Sequence, residues 1–364
     1  MFDFETIKGK RVILFGAGNE GVCAAGILRE NGIEPVCFCD NYKQGIEPRT
    51  GLKIISAAEL DSDYADAIIL VTAITYAEEI IAGLKASGIS EERIVTALKS
   101  HHYQQPHLAY FEINIVDHCN ITCKGCSHFS PIAEKRFSPL EVIQSDLRRM
   151  SELTLGKVDE FHILGGEPLL HPDLLKILVT ARECFPDTVI SLISNGVLLL
   201  KQEQEFWDVC YENRITIEVT KYPMKIDYDK IIQTVKEKKI AFKFHSYTGQ
   251  ATKTMYKMPL DLEGTQDETV SFRNCTLANR WIALMDGRMY TCQVAPNIMH
   301  FNKKFAKNLA LEAGDSIDIY QAKDIDEILA FLSTPKPFCK YCKATEVVSG
   351  IPWGPSKGEL SEWV

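Results

Sequence analysis

Three cysteines stand close together in the chain, Cys119, Cys123 and Cys126, in the order C-x3-C-x2-C. They follow directly on Phe111–Val116, a β-branched and aromatic run that reads as a strand. A loop that tight wraps three thiolates around one centre at the end of that strand. Some forty residues on, a second run, Glu160–Leu164, ends in Gly165-Gly166-Glu167-Pro168. Paired glycines let a ligand approach the backbone closely, and Glu167 offers a carboxylate to an amine. Chemistry at the ends of successive strands constrains the fold, because parallel α/β sheets place their sites there. Spacing alone leaves the centre open. Three thiolates on a four-iron cluster leave one iron free for a small molecule, zinc with a distant fourth ligand is the alternative, and three unrelated thiols are the bland reading.

The rest of the chain organises around that segment in three blocks. Residues 1–104 alternate strands (Arg11–Phe15, Pro35–Cys39, Ala67–Thr72) with helical patterns, which argues a parallel sheet. A polar stretch, His101–His107, reads as a linker. Residues 108–265 alternate again, with further strands at Thr188–Ile193, Ile215–Val219 and Ala241–His245 and helices over Pro139–Leu153, Pro172–Cys184 and Tyr228–Lys238. Five or six parallel strands with helical crossovers predict an open or partial (β/α)6 barrel. Residues 266–364 read as a small irregular domain carrying cysteines and ending in an aromatic, glycine-rich tail, IPWGPSKGELSEWV.

Composition narrows the function classes. The chain has 364 residues and a formal net charge of −9, which excludes the basic field of a general nucleic-acid binder. The most apolar stretch, Ala67–Ile74, falls far short of the roughly 20 residues of a membrane span. MFDFETIKGKR lacks the basic-then-apolar order of a signal peptide, so a cytoplasmic location is expected, and there twelve cysteines argue for metal rather than disulfides.

The triplet at the end of one strand and GGEP at the end of the next resemble the signature of the radical S-adenosylmethionine (SAM) enzymes. The resemblance implies a [4Fe–4S] cluster on Cys119, Cys123 and Cys126, with SAM on the open iron and its methionyl amine held by Gly165, Gly166 and Glu167. It also implies a flavodoxin- or ferredoxin-type reductant, and a 5′-deoxyadenosyl radical that abstracts hydrogen from a small-molecule substrate. Ser194 and Asn195, at the end of the third strand, are carried over as contacts to the SAM ribose or carboxylate. The family's usual aromatic before the last cysteine is Gly125 here, and Phe129 is the candidate to take its place against the adenine.

A second set, Cys275, Cys292, Cys339 and Cys342, supplies four thiolates, enough for a closed iron–sulfur cluster or for structural zinc. C-x11-G-x4-C followed by C-x2-C resembles the start of the SPASM or twitch extension, which implies one auxiliary [4Fe–4S] cluster in electron transfer. The full SPASM pattern is absent, since Val348 stands where its next cysteine belongs. Cys23, Cys37, Cys39, Cys184 and Cys210 sit in apolar patterns and read as core, with Cys184 or Cys210 a candidate hydrogen donor.

In the first block GAGNEG places Gly16, Gly18 and Gly21 between a strand and a helix, and Asp40 ends the next strand where a ribose-binding acid belongs. This predicts a Rossmann-like sheet. It resembles the small domains of surface-polysaccharide and nucleotide-sugar enzymes, which bind a nucleotide or nucleotide-sugar or serve as docking modules. The expected substrate is therefore a carbohydrate, undergoing dehydrogenation, epimerisation or dehydration. A peptide-modifying maturase and a zinc-binding nucleotide-sensing adaptor are the alternatives. Base candidates are Glu218, His245 and His128, with Lys221 and Tyr247 also at strand ends; Arg280 is a candidate anion ligand. Nine lysines between Lys221 and Lys257 form a locally basic segment, read as a solvated helix face or as an attractor for a phosphorylated substrate. The tail reads as a lid or as a docked terminus.

Overall fold

The computed structural model describes residues 4–72, 77–96, 107–245, 253–278 and 280–364. Tyr247 and most of the expected linker lie outside the described residues. The chain forms two compact units, one of residues up to His107 with Asp187–Val189, the other of Leu108–Pro186 and Ile190–Val364.

The first unit contains β1 (Val12–Phe15), α1 (Asn19–Glu30), β2 (Cys37–Cys39), β3 (Gly45–Ile46), β4 (Lys53–Ile55), β5 (Ile68–Val71), α2 (Ala77–Ala86) and β6 (Ile94–Thr96). Its strands lie in the order β3-β4-β2-β1-β5-β6, all parallel except the edge strand β3. The order reverses at β1, and the glycine loop follows that strand. A Cβ on Gly21 would come within 1.9 Å of the Gly16 carbonyl oxygen, so α1 starts against the loop only because this residue is glycine. Asp40 accepts from the Ala17 amide at 2.8 Å and from the Tyr42 and Lys43 amides at 2.9 and 3.0 Å. The acid thus fastens the glycine loop to the end of β2.

The second unit runs β7 (Leu108–Val116), α3 (Leu140–Thr154), β8 (Val158–Gly165), α4 (Leu174–Cys184), β9 (Val189–Ser194), α5 (Gln204–Glu212), β10 (Ile215–Val219), α6 (Tyr228–Glu237) and β11 (Phe242–Phe244). It continues through β12 (Thr254–Lys257), α7 (Glu268–Asn274), β13 (Ala283–Met285), β14 (Arg288–Tyr290), α8 (Val294–Phe305), β15 (Ser316–Asp318), α9 (Ile325–Leu332) and β16 (Val348–Pro352). The main sheet has the order β11-β10-β9-β8-β7-β13-β14-β15. Five strands from β7 to β11 are parallel and sequential; β13 pairs parallel to β7, and β14 and β15 follow antiparallel.

The sixth parallel strand therefore comes from the cysteine-bearing third block, and strands of the second and third blocks share one sheet. β13 is only three residues long, and nothing in so short an apolar run announces a partner as distant in sequence as β7. β12 and β16 form a separate antiparallel pair. No helix among the described residues is long and apolar enough to cross a membrane.

Alternation along the strands sets the two faces of this sheet. Phe111, Ile113 and Ile115 of β7 and Phe161 and Ile163 of β8 pack with the helices into the main apolar core. Their neighbours Tyr110, Glu112, Asn114, Glu160 and His162 turn to the other face. Phe161 stacks on Phe111 at 4.9 Å and meets Phe185 edge-on at 5.1 Å. Phe161→Ala is expected to cost about 3–5 kcal/mol, read by equilibrium chemical denaturation. A cost near zero would mean that this face is not the core.

Candidate active site

Cys119, Cys123 and Cys126 are free thiols on the loop after β7. Burial pushes Cys119 up to about 12 and Cys126 up to about 11, and the neighbouring thiols add to both shifts. Burial raises Cys123 as well, opposed by hydrogen bonds from Trp353 and Tyr222. Three thiols, one buried and two half-buried, that each resist ionisation suit a cation that neutralises them together, so the donor set fits a shared metal centre. Gly125 lies at φ +67, and a Cβ there would sit 3.2 Å from the Glu362 carbonyl oxygen. The position that the resemblance expected to be aromatic is thus covered by the chain's own tail.

Gly165 and Gly166 act first on the backbone. A Cβ on Gly165 would lie 2.2 Å from the Val116 oxygen, and one on Gly166 would lie 2.0 Å from the His118 oxygen. Only glycines let the end of β8 press on the start of the cysteine loop. Glu167 then falls inside, 0% exposed. Its carboxylate accepts from Ser194 Oγ at 2.8 Å, the Asn195 amide at 2.9 Å and the Leu169 amide at 3.2 Å, and burial pushes it up to about 7. Asn195 Nδ2 donates to Asn120 Oδ1 at 2.6 Å and approaches Cys119 Sγ at 3.6 Å. The ends of β7, β8 and β9 are thereby tied into one network. Glu167, Ser194 and Asn195 were expected to face SAM separately; here they hold one another. Phe129, expected against adenine, is 1% exposed and packs on Phe301 and Trp363, a core side chain rather than an open stacking surface.

On the polar face of the sheet a continuous chain of hydrogen bonds joins five strands. Asn114 Nδ2 donates to Gln293 Oε1 at 2.8 Å, and Gln293 donates to Glu112. Tyr110 OH donates to Glu112 at 2.5 Å and lies 2.8 Å from His162 Nδ1. His162 Nε2 meets Glu160 at 3.0 Å, and Ser191 Oγ donates to Glu160 at 3.2 Å. Lys243 bridges Glu160, at 3.3 Å, and Glu218, whose other oxygen meets His245 Nδ1 at 2.9 Å. Burial alone would push Glu218 up, but the His245 bond and the charges of His162 and Lys243 outweigh it and hold it at about 2. Burial alone would lower His162, but bonds to Glu112 and Glu160 and the charges of Glu160 and Glu218 lift it to about 9. Glu160, His162 and Glu218 each offer a ligand atom within 4.8 Å of the others, yet the Lys243 ammonium already supplies their counter-charge.

His128 behaves differently. Burial lowers it below its ordinary range, so it is neutral near pH 7; the Glu112 charge opposes the shift and Lys253 adds to it. Its buried Nε2 has no hydrogen-bond partner among the described residues. Among the base candidates, then, Glu218 and His245 are engaged with each other and His128 keeps an open nitrogen. Lys221 lies over the Tyr228 and Phe244 rings, and Arg280 is exposed. Four of the nine lysines, Lys225, Lys230, Lys236 and Lys239, form a solvated surface, but Lys243 reaches Glu160 and Glu218 and Lys253 turns inward. Cys184 ends α4 and Cys210 is buried within α5, neither at a strand end. Tyr110, Glu112, Glu160, His162, Tyr222 and Lys253 were not singled out from sequence. The signal was present in the polar positions alternating with apolar ones on β7 and β8.

The second set of cysteines also converges. Burial pushes Cys292 up to about 12 and Cys339 up to about 11, with Cys275 among the neighbours that add to each; Cys342 is raised further by burial and by the other three. Cys275 Sγ accepts from the Leu277 and Ala278 amides, each at 3.3 Å. Four sulfurs from three separate segments act on one another and supply the donor set for one closed centre.

Residues 113–240 match the profile of the Radical SAM superfamily, and residues 8–95 that of the family described as C2185-like, N-terminal. The GTP 3′,8-cyclase of Peptoclostridium acidaminophilum is 24% identical over 136 residues, covering 35% of this chain and 42% of that protein. The probable GTP 3′,8-cyclase of Pyrococcus horikoshii is 26% identical over 165 residues, 43% of this chain and 48% of that one. GTP 3′,8-cyclase 3 of Mycobacterium tuberculosis is 24% identical over 269 residues, 66% and 68% respectively. The chain thus spans less than half the length of the first two. Among solved structures, BtrN in complex with AdoMet and 2-DOIA gives a TM-score of 0.42 at 16% identity, covering 65% of this chain and 93% of that one. Native anSMEcpe with AdoMet and a peptide gives 0.31 at 20%, covering 38% and 42%. Likeness at that level carries no argument.

Two outcomes test the geometry. Cys126→Ala is expected to remove about four irons per chain from the reconstituted protein while Cys275, Cys292, Cys339 and Cys342 keep their metal, read by iron, sulfide and zinc analysis. His162 keeps its proton to about pH 9 in the folded chain and loses it near 6.5 when unfolded. Its contribution, roughly 3 kcal/mol, is complete below pH 6.5 and is lost as pH rises through 9. Thermal melts of the wild type should fall across that window, and His162→Gln should flatten the fall.

Proposed function

We propose that this chain, a radical SAM enzyme, takes a hydrogen atom from a sugar or nucleotide-linked sugar and leads it to an oxidised, epimerised or dehydrated product. When bound, the cluster on Cys119, Cys123 and Cys126 supplies, by one-electron cleavage of SAM, the 5′-deoxyadenosyl radical that takes that hydrogen. The observation that carries the substrate class is the polar face of the sheet, where Glu112, Glu160, Glu218, His162, His245 and Lys243 form one network beside a buried acceptor, Asn114 Oδ1, that has no hydrogen bond among the described residues. Such a surface offers donors and acceptors at many angles, which suits a polyhydroxylated molecule. Three carboxylates there disfavour a bare polyphosphate.

His128 Nε2 is the atom we assign to receive a proton from the substrate, because it is buried, neutral and open. Glu218 holds His245 in place. Cys275, Cys292, Cys339 and Cys342 would bind an auxiliary [4Fe–4S] cluster that takes up one electron, with a flavodoxin or ferredoxin as the outside reductant. The GAGNEG loop, with Gly16, Gly18, Gly21 and Asp40, is assigned to a nucleotide or nucleotide-sugar. A second reading, action on GTP, is favoured by the names of relatives such as the M. tuberculosis protein, which aligns over 66% of this chain.

The deciding experiment incubates the reconstituted protein with dithionite, SAM and perdeuterated substrates. Deuterium in 5′-deoxyadenosine from a nucleotide-sugar supports the first reading; deuterium only from GTP supports the second and overturns the first. His128→Gln is expected to lower product formation at least tenfold while 5′-deoxyadenosine still forms.

A further inference from the structure

The tail does more than end the chain. Backbone bonds run from the Lys124 amide to the Gly354 oxygen at 2.9 Å and from the Ser356 amide to the Thr122 oxygen at 3.0 Å, a short ladder along the cysteine loop. Trp363 Nε1 donates to the Cys126 oxygen at 3.0 Å. Buried Glu362 braces the turn by accepting from Ser356 Oγ at 2.6 Å and from the Lys357 amide at 2.7 Å. These contacts fix Trp353, and Trp353 Nε1–H donates to Cys123 Sγ at 3.2 Å. The Tyr222 hydroxyl, after β10, acts on the same thiol and lowers it, and the Tyr222 ring stands edge-on to Trp353 at 5.7 Å.

Hydrogen bonds to a cluster's sulfur ligands stabilise the more negative, reduced state and so raise its reduction potential. We propose that Trp353 and Tyr222 are positioning residues that raise the reduction potential of the cluster on Cys119, Cys123 and Cys126, so that the docked tail makes that cluster easier to reduce. This rests on the radical SAM reading of those cysteines. The step is a single electron from reductant to cluster, with no proton moved. The charge of Lys253 also acts on Cys123 and Cys126 and works in the same direction, so it forms a constant background in the test.

The test is an EPR-monitored dithionite titration of the full, reconstituted chain, following the reduced-cluster signal that changes when SAM is added. Trp353→Phe removes the N–H and keeps an aromatic ring. It should lower the reduced-to-oxidised ratio at a fixed potential about tenfold, a shift of ~59 mV for one electron. Tyr222→Phe should shift it the same way, and Trp353→His, which keeps a ring N–H, should recover part of the loss. Unchanged potentials in both Phe variants at wild-type iron content overturn the proposal. Should Trp353→Phe fail to hold iron, Tyr222→Phe decides alone, by the same criterion. A wild type that shows no SAM-sensitive signal, or one that keeps it in Cys126→Ala, overturns the underlying reading and the proposal with it.

Discussion

The close approach of β8 to the end of β7 is the constraint on which the site depends. Gly165 and Gly166 lie where any Cβ would strike the Val116 or His118 oxygen. Because that approach is possible, the Gly166 amide bonds the Val116 oxygen at 2.6 Å, and the cysteine loop starts directly over the next strand end. Glu167 is carried inside by the same step and collects Ser194 and Asn195 from β9. Three strand ends are thus locked by one pair of glycines and one buried carboxylate before any cofactor is considered.

The two faces of the sheet divide the labour. One face buries stacked aromatics and aliphatics under the helices and supplies the stability. The other carries carboxylates, imidazoles and a lysine that are costly to bury singly and tolerable only because each is paired. Tyr110, Glu112, His162, Glu160, Lys243, Glu218 and His245 pair with one another in sequence, while the base candidate His128 keeps a buried nitrogen without a hydrogen bond among the described residues. The cysteine centres sit outside this network, one at the end of β7 and the other among α7, β14 and the residues before β16.

Much of the site was legible locally. C-x3-C-x2-C and GGEP each occupy a few consecutive residues, and each followed a strand whose β-branched pattern was plain. The five sequential strands were legible for the same reason. Less was visible where function is spread over single residues. Glu112 and His162 are ordinary strand positions until their register places them opposite each other. Trp353 read as part of a lid or a docked end, and only its seat on Cys123, 230 residues earlier, gives it a role toward that sulfur. Glu167 and Phe129 were read as ligand contacts because their positions fit a pattern, but their burial is a property of the packed chain.

The sequence by itself determined the alternation of strands and helices, the two groups of cysteines and the glycines at each strand end, because these depend on spacing along a few residues. The tertiary structure alone decided that β13 would lie beside β7, that four cysteines from three segments would meet, and that the tail would close on the cysteine loop. Those outcomes depend on contacts between residues far apart in the chain. Such contacts form only where buried area and satisfied hydrogen bonds together offset the entropy of bringing the segments together, and no local pattern encodes that sum.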